Sequence, residues 1–262
     1  MKRRKKPCSG LAVLAIACAA ATPVAAGATP LRVALGETKA PYVIAQEKRG
    51  VEYDLIVSLL TAAGYQPEVL FLPNKRAQLM LEKEKIDAAI STSGRFVSEP
   101  YIAYRNMAIT LCSRGIRLHA VGDLAGLRVG AFQNASIFLG QEFGAMAAAN
   151  PEYREVSPQI MINRQLYGGR IDVAISDVNI FSYLSGQLGA QYDLTQRLCS
   201  YAIFPPTFYR LSFREAQPRD RFNLALKQAL QGNLYETVAK RYGLYHEGAT
   251  PYFKPHAVNK GN

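Results

Sequence analysis

Apolar and polar positions follow two different spacings along the chain, and their order predicts an α/β fold. Residues 31–35 form a short run that is apolar except for Arg32, as in a buried strand. Apolar residues recur at helical spacing over 51–63 and again after Pro73, and further strand-like runs lie at 68–71 and 86–90. Strands and helices that alternate in this order predict a parallel sheet with right-handed crossovers.

The same plan is repeated in the second half of the chain. The tripeptide Leu31-Arg32-Val33 recurs at 127–129, and the hexapeptide IDAAIS at 86–91 recurs as IDVAIS at 171–176. Two copies of a strand–helix unit predict two similar lobes rather than a stacked array. The elements expected in the second copy are a helix over 136–149, a strand over 159–162, a short helix through Tyr167 and a strand from Ile171.

Two strand-like segments outside the copies, 107–112 and 208–213, are candidates for the crossings between the lobes. The helical segment 219–242 follows the second crossing, and its apolar stripe is expected to pack on the first lobe. The predicted fold is therefore α/β and two-lobed, like a Venus flytrap, with hinge strands between the lobes. The expected divisions are a leader over 1–28, a first lobe over 29–110 and 206–262, and a second lobe over 111–205.

The first 28 residues have the features of a signal peptide. Residues 2–6 are all basic, residues 11–21 are apolar, and Ala26-Gly27-Ala28 fits the small-residue pattern before a cleavage site. The apolar run is too short to span a bilayer. We therefore expect an exported, periplasmic protein, with lipid attachment at Cys18 as the alternative form of processing.

Removal of this leader changes the charge of the protein. The whole chain has 31 basic and 20 acidic residues, and five of the basic ones precede residue 29, so the remainder carries a formal charge of +6. It has no Lys/Arg-rich run, and no nucleic-acid partner is predicted. Cys112 and Cys199 remain, either as a disulfide or as two buried thiols. None of the three histidines lies near a cysteine at metal-ligand spacing, so no metal or other cofactor is expected.

The candidate site lies where the predicted strands end. In open α/β sheets, ligands bind beyond the carboxyl ends of the strands, beside loops and helix N-termini. Here these ends carry two guanidinium groups, several hydroxyls, an aromatic ring and one carboxylate, which suits a ligand with the charges of an amino acid. They lie at 38–42, 73–76, 91–95, 133–136 and Asp177.

Several short stretches follow one another in an informative order. They are Ala40-Pro41-Tyr42, Gly50-Val51-Glu52-Tyr53-Asp54-Leu55, Ile86-Asp87-Ala88, DLAGLRVG at 123–130, GRIDVAISD at 169–177, FNLAL at 222–226 and Arg241-Tyr242-Gly243. Together they resemble the periplasmic solute-binding proteins of family 3, which serve ABC importers of amino acids. The resemblance implies the periplasmic-binding-protein-like fold and a small polar ligand, an amino acid or related compound, held between the lobes for an ABC permease.

The resemblance also implies roles for individual residues. Asp177 would pair with the ligand ammonium, or would serve only as the N-cap of the next helix. Arg95 would hold the ligand carboxylate through its planar fork, with the hydroxyls of Ser91 and Ser93 beside it. Arg76 is the substitute for Arg95.

Two further residues complete the expected site, and two departures from the family pattern bear on the ligand. Ser136 would donate at the N-terminus of a second-lobe helix, and Tyr42 would stack on the ligand. The loop after Ser91 is shorter than in the family, and Asn134-Ala135-Ser136 replaces a G-T-T turn. These departures argue against a standard α-amino acid and leave the fold unchanged.

The predicted function is capture of a solute by hinge closure, by a monomer, without catalysis. The sequence has no nucleophile elbow, no phosphate loop and no pair of carboxylates at a persuasive catalytic spacing. One alternative is an accessory or sensory binding module without a transport role. Another is an enzyme on the same fold that resembles the cyclohexadienyl dehydratases, in which Glu37, Glu99 or Asp177 would be the acid.

Overall fold

A computed structural model of the protein describes residues 1, 28–91, 94–244 and 249–255. Residues 2–27 of the predicted leader, with Cys18, therefore lie outside the described residues, and so does Ser93. In chain order the strands and helices are β1 (Thr29–Leu35), α1 (Val51–Ala62), β2 (Tyr65–Phe71), α2 (Asn74–Glu82), β3 (Ala88–Ser91), β4 (Phe96–Val97), β5 (Ile102–Tyr104), β6 (Asn106–Leu111), β7 (Val129–Phe132), α3 (Ala135–Phe138), α4 (Gln141–Ala149), β8 (Tyr153–Val156), α5 (Ile160–Tyr167), β9 (Val173–Asp177), α6 (Val178–Ser185), β10 (Leu198–Tyr201), β11 (Thr207–Phe213), α7 (Ala216–Gln231) and α8 (Leu234–Arg241).

The strands form two sheets, and each sheet contains one copy of the predicted unit. In the first sheet β2, β1 and β3 are parallel, and β11 joins β3 antiparallel and also pairs with β4 and β5. In the second sheet β8, β7 and β9 are parallel, and the antiparallel strands β6 and β10 complete it. The two-lobed α/β fold is confirmed. We call 28–104 and 207–255 the first lobe, and 106–201 the second lobe.

Two short segments connect the lobes. Arg105 alone separates β5 of the first sheet from β6 of the second, and residues 202–206 lead back from β10 to β11. The predicted strands at 107–112 and 208–213 correspond to β6 and β11. However, β6 pairs with β9 and β10, so the change of sheet occurs at Arg105, before the expected boundary at 110.

The core of the first lobe includes the C-terminal helices, as predicted. Phe222 and Leu226 of α7 and Tyr235 and Val238 of α8 are buried in one cluster with Leu55 and other residues of α1. This packing covers one face of the first sheet, because an amphipathic helix stabilises a sheet only by burying its apolar stripe. The chain after α8 returns to the same lobe, where Phe253 is buried.

Local structure in the second lobe differs from the prediction in two places. The expected strand over 159–162 is wrong, because these residues form the N-cap and first turn of α5. Ile162 and Leu166, four residues apart in this helix, are buried. The strand is β8, which pairs with β7. The expected helix over 136–149 is split into α3 and α4 at Gly140, whose φ of 92° is a conformation that favours glycine.

A disulfide joins Cys112, just after β6, to Cys199 in β10, with the Cα atoms 5.1 Å apart. These two strands are neighbours in the sheet, so their pairing brings the cysteines within disulfide reach. Of the two readings that the sequence left open for Cys112 and Cys199, the disulfide is the one observed. In the described part of the chain, no helix is long and apolar enough to cross a membrane.

Candidate functional site

Asp177 lies at the point where the two lobes approach each other. It ends β9 and caps α6, accepting the backbone N–H groups of Asn179 (3.0 Å) and Ile180 (3.1 Å). A third backbone N–H, from the crossing residue Arg105, donates at 2.8 Å. Only 2% of Asp177 is exposed, and this burial raises the pKa of its carboxyl, although the hydrogen bonds to the carboxylate oppose the rise. The N-cap role of Asp177 is therefore observed directly.

Tyr42 of the first lobe reaches across to Asp177. Its hydroxyl donates to the two carboxylate oxygens, at 3.0 and 3.1 Å, and accepts a hydrogen bond from Nδ2 of Asn179 at 3.0 Å. The residue is fully buried, and loss of hydration raises the pKa of its phenol further above its usual value. The hydroxyl therefore stays protonated and remains a donor. Together Tyr42, Asp177 and Asn179 form a buried hydrogen-bonded contact between the lobes.

A second buried carboxylate, that of Glu52, holds the tyrosine on which the ring of Tyr42 stacks. Tyr42 stacks on Tyr104, with ring centroids 4.0 Å apart and planes 16° apart. The hydroxyl of Tyr104 donates to Glu52 at 2.9 Å, and that of Tyr101 donates to the other oxygen of Glu52 at 2.5 Å. Since Glu52 lies in the first turn of α1 and is 4% exposed, it fixes the tyrosines against the first lobe.

An open cavity of about 630 Å³ adjoins this cluster on the first lobe. It lies beside α2 and the carboxyl end of β3, where a ligand is expected in an α/β sheet. Its lining residues are Asn74, Lys75, Gln78, Leu79, Glu82, Ile90, Ser91 and Tyr209. A second, much smaller cavity shares Asn74, Ile90 and Tyr209 with it and continues to Lys39, Glu37, Glu52 and Tyr104. We call the two together the cleft cavity.

Lys39 is the cation at the inner end of the cleft cavity. Its Nζ lies 4.6 Å from the ring centroid of Tyr104 and 5.7 Å from that of Tyr209. The surrounding loop is held by three backbone hydrogen bonds: Lys39 N–H donates to the carbonyl of Val43, and the N–H groups of Tyr42 and Val43 donate to the carbonyl of Lys39. Among the described residues, no carboxylate lies within ion-pair distance of Lys39.

Ser136 is hydrogen-bonded to a side chain of its own lobe. Its Oγ and backbone N–H donate to Oε1 of Glu155, at 2.7 and 2.9 Å, and the N–H of Asn134 donates to Oε2 at 2.6 Å. The hydroxyl of Tyr153 adds a further donor at 2.9 Å. Burial alone would raise the pKa of Glu155, but these hydrogen bonds outweigh burial and lower the pKa. The start of α3 thus already holds an anion supplied by the chain.

The two predicted arginines do not line the cleft cavity. Arg76 is exposed in the first turn of α2, and Arg95 is exposed with its guanidinium over the ring of Phe96. Ser91 does line the cavity. Lys39 belongs to a strand-end loop that the sequence predicts, but the sequence does not single it out. Only the fold brings the rings of Tyr104 and Tyr209 next to its Nζ.

Comparison with known proteins identifies the fold. No family model and no curated protein matches the chain. Among solved structures, a polar amino acid ABC uptake transporter substrate-binding protein from Streptococcus thermophilus is similar with a TM-score of 0.62 and 17% identity, over 81% of this chain and 85% of that one. The arginine-, lysine-, histidine-binding protein ArtJ from Geobacillus stearothermophilus gives 0.56 and 17%, over 85% and 97%.

A ligand-binding core is similar as well. The GluR0 ligand-binding core from Nostoc punctiforme, in complex with L-glutamate, gives a TM-score of 0.55 and 15% identity, over 81% of this chain and 99% of that one. At such identities the likeness concerns the backbone architecture and not the ligand. The resemblance found in the sequence is confirmed at this level: the chain has the two-lobed periplasmic-binding-protein fold.

Proposed function

We propose that the protein is an exported, monomeric solute-binding protein of the periplasm that captures a small polar solute and presents it to an ABC permease. The observation that carries the proposal is the cleft cavity, which lies at the strand ends of the first lobe and is bounded by a cation, an amide, a hydroxyl and aromatic rings. Ligand sites commonly combine a few polar groups of this kind with apolar walls. The solute is an amino acid or a related compound.

Closure of the lobes is the proposed response to the solute. The lobes are joined by one residue at Arg105 and by five residues at 202–206, and short crossings of this kind let two domains rotate about them. The contact between Tyr42 and Asp177 lies beside the Arg105 crossing and keeps the lobes in register there. A solute that touches both lobes favours the closed arrangement by its additional contacts in that state.

Within the cleft cavity, Lys39, Asn74, Ser91 and Tyr209 are the residues that we assign to the solute. The similar structures support this proposal, since two of them are described as ABC substrate-binding proteins or amino-acid-binding proteins. Asp177, Tyr42 and Ser136, which the sequence assigned to the ligand, face each other or Glu155 instead. A role for them in binding would require those internal hydrogen bonds to be exchanged.

A thermal-shift screen of the chain from residue 29 onward tests the proposal. The solutes would be amino acids, polyamines, sugars and small carboxylates. A solute at a hundredfold excess over its dissociation constant stabilises the folded protein by about 2.7 kcal/mol. The shift should disappear in Asn74→Ala, which removes a cavity amide, and persist in Asn233→Ala, which removes an exposed amide at the start of α8. A screen in which no solute raises the melting temperature would contradict the proposal.

The accessory or sensory module is the second candidate, and one observation favours it. The polar groups of the second lobe that would meet a ligand, Asp177 and Ser136, are already saturated within the chain. An accessory module would give no thermal shift with any solute but would co-purify with a protein partner. Small-angle scattering with and without the best solute separates the two candidates, because only the solute-binding protein closes.

A further inference from the structure

Some charged groups around the cleft already have hydrogen-bonding partners within the chain, whereas Lys39 has no carboxylate partner among the described residues. We infer that the cleft selects an anionic solute that lacks an ammonium group, namely a carboxylate on an aromatic or apolar body. This inference rests on the proposed function and names the class of its ligand. It follows from three observations: the hydrogen bonds that Asp177, Glu155 and Glu52 already accept, the position of Lys39, and the aromatic wall beside it.

Asp177 and Glu155 have few positions left for a ligand ammonium. A carboxylate has about four lone-pair positions, and Asp177 receives three backbone N–H groups and the hydroxyl of Tyr42. Glu155, which is partly buried, also receives four hydrogen bonds. Glu52 receives only two, one phenol hydroxyl on each oxygen, but it is 4% exposed and is buried together with Tyr101 and Tyr104, so an ammonium would have to enter this cluster to reach it. An ammonium that bound Asp177 or Glu155 would have to displace one of their donors. It would then leave that donor buried without a partner, which costs about 1–3 kcal/mol.

Two exposed acids also line the cleft cavity, but they bind an ammonium only weakly. Glu37 and Glu82 are both solvent-exposed, and Gln78 lies 3.5 Å from Glu82. An ion pair at such an exposed site contributes about 0–1 kcal/mol, since water screens it. These acids therefore contribute little to selection of an ammonium.

Lys39 is exposed as well, but it is better positioned as the partner of an anion. Two tyrosine rings and three backbone hydrogen bonds of its loop define its position, and no carboxylate of the described residues neutralises it. Lys75 lines the larger part of the cavity, and the first turn of α2 contains no acidic residue. A carboxylate bound beside Lys39 would therefore gain a positioned cation without losing an internal ion pair.

The wall next to Lys39 suits an apolar or aromatic body. The rings of Tyr104 and Tyr209 lie 4.8 Å apart at 56°, and Ile90 and Leu79 continue the apolar surface into the larger cavity. Leu79 is 53% exposed, so a solute that covers it also removes apolar surface from water. The anion-binding end and the apolar wall together define the solute.

Calorimetric titration with matched solutes tests the inference. The pairs are 3-phenylpropionate with L-phenylalanine and glutarate with L-glutamate, which differ within each pair only in the amino group. In at least one pair we expect the acid to bind ten times more tightly than the amino acid, or better. Lys39→Gln should weaken binding of that acid at least tenfold, and Lys227→Gln, the same change at an exposed position on α7, should leave it unchanged.

Failure of the inference is distinguishable from failure of the proposed function. An amino acid that binds as tightly as its matched acid, or a cationic or neutral solute as the best ligand of the thermal-shift screen, would overturn the inference and leave a solute-binding protein. Equal affinity of the acid for Lys39→Gln and the unsubstituted protein would also overturn it. Absence of binding by every solute in the screen would overturn both.

Discussion

Replacing Tyr42 by phenylalanine removes a single oxygen atom from the contact between the lobes. The ring can keep its stacking on Tyr104, because that contact uses the face of the ring. The change removes the one side-chain donor that Asp177 has among the described residues, and it leaves Nδ2 of Asn179 without its acceptor. All three residues are at least 95% buried, so water cannot replace the lost group without rearrangement.

The expected cost follows from these contacts. A hydrogen bond to a charged group contributes about 1.5–3 kcal/mol, and the three backbone N–H groups on Asp177 remain to hold its charge. We therefore expect Tyr42→Phe to lower the free energy of unfolding by about 2–3 kcal/mol. For a chain of this size that corresponds to a fall in melting temperature of about 4–12 °C.

Urea unfolding and calorimetry of Tyr42→Phe measure this cost, with Tyr167→Phe as the matched control. Tyr167 stacks on Phe181 within the second lobe, and no hydrogen bond of its hydroxyl occurs among the described residues. The control should change stability by less than about 0.5 kcal/mol. If Tyr42→Phe and Tyr167→Phe were equally stable, the hydroxyl–carboxylate contact would not stabilise the molecule, and the reasoning about Asp177 would be wrong.

Two further substitutions test the second lobe. The guanidinium of Arg128 binds Asp172 through two nitrogen atoms, and these hydrogen bonds lower the pKa of Asp172. The ionised carboxylate therefore stabilises the fold fully above the unfolded pKa of about 3.9. This stabilisation is lost as the pH falls through the lower pKa of the folded state. Asp172→Asn should cost about 1–2 kcal/mol at pH 7 and flatten the acid limb of a stability–pH curve measured in urea; an unchanged limb would contradict this. Replacing Cys112 and Cys199 by alanine opens a loop with a sequence separation of 87, and chain entropy predicts a loss of about 4–5 kcal/mol. A loss below about 1 kcal/mol in the same assay would contradict that account.

The sequence predicted the lobes because the repeat marks buried strands. Residues 31–35 and 127–132 are apolar except for Arg32 and Arg128, and they form the strands β1 and β7, most of whose other residues are buried. The strand over 159–162 was misplaced because a short apolar run fits a strand or a helix equally well. The alternation in β8 is weak, since none of its residues is fully buried.

The candidate site was less predictable, because its partners are distant in sequence. The strand-end rule found Tyr42 and Asp177 as positions, yet 135 residues separate them, and a sequence does not specify that one donates to the other. Glu155 lies on a strand, as many surface acids do, and nothing in the sequence marks it. Its hydrogen bonds with Ser136 form only because β8 pairs with β7. Arg76 and Arg95 had the right charge, but both are exposed and neither lines the cavity.

The two lobes differ in how much of the chain must exist before each is complete. The second lobe is one continuous stretch, 106–201, whereas the first also needs β11, α7 and α8 from the far end of the chain. As the polypeptide emerges from its N-terminus, every strand of the second sheet and both cysteines become available first. Until residue 213 follows, β3 has an open edge, which is a site for pairing with another chain. The period between completion of the two lobes is therefore when this protein most needs protection from aggregation.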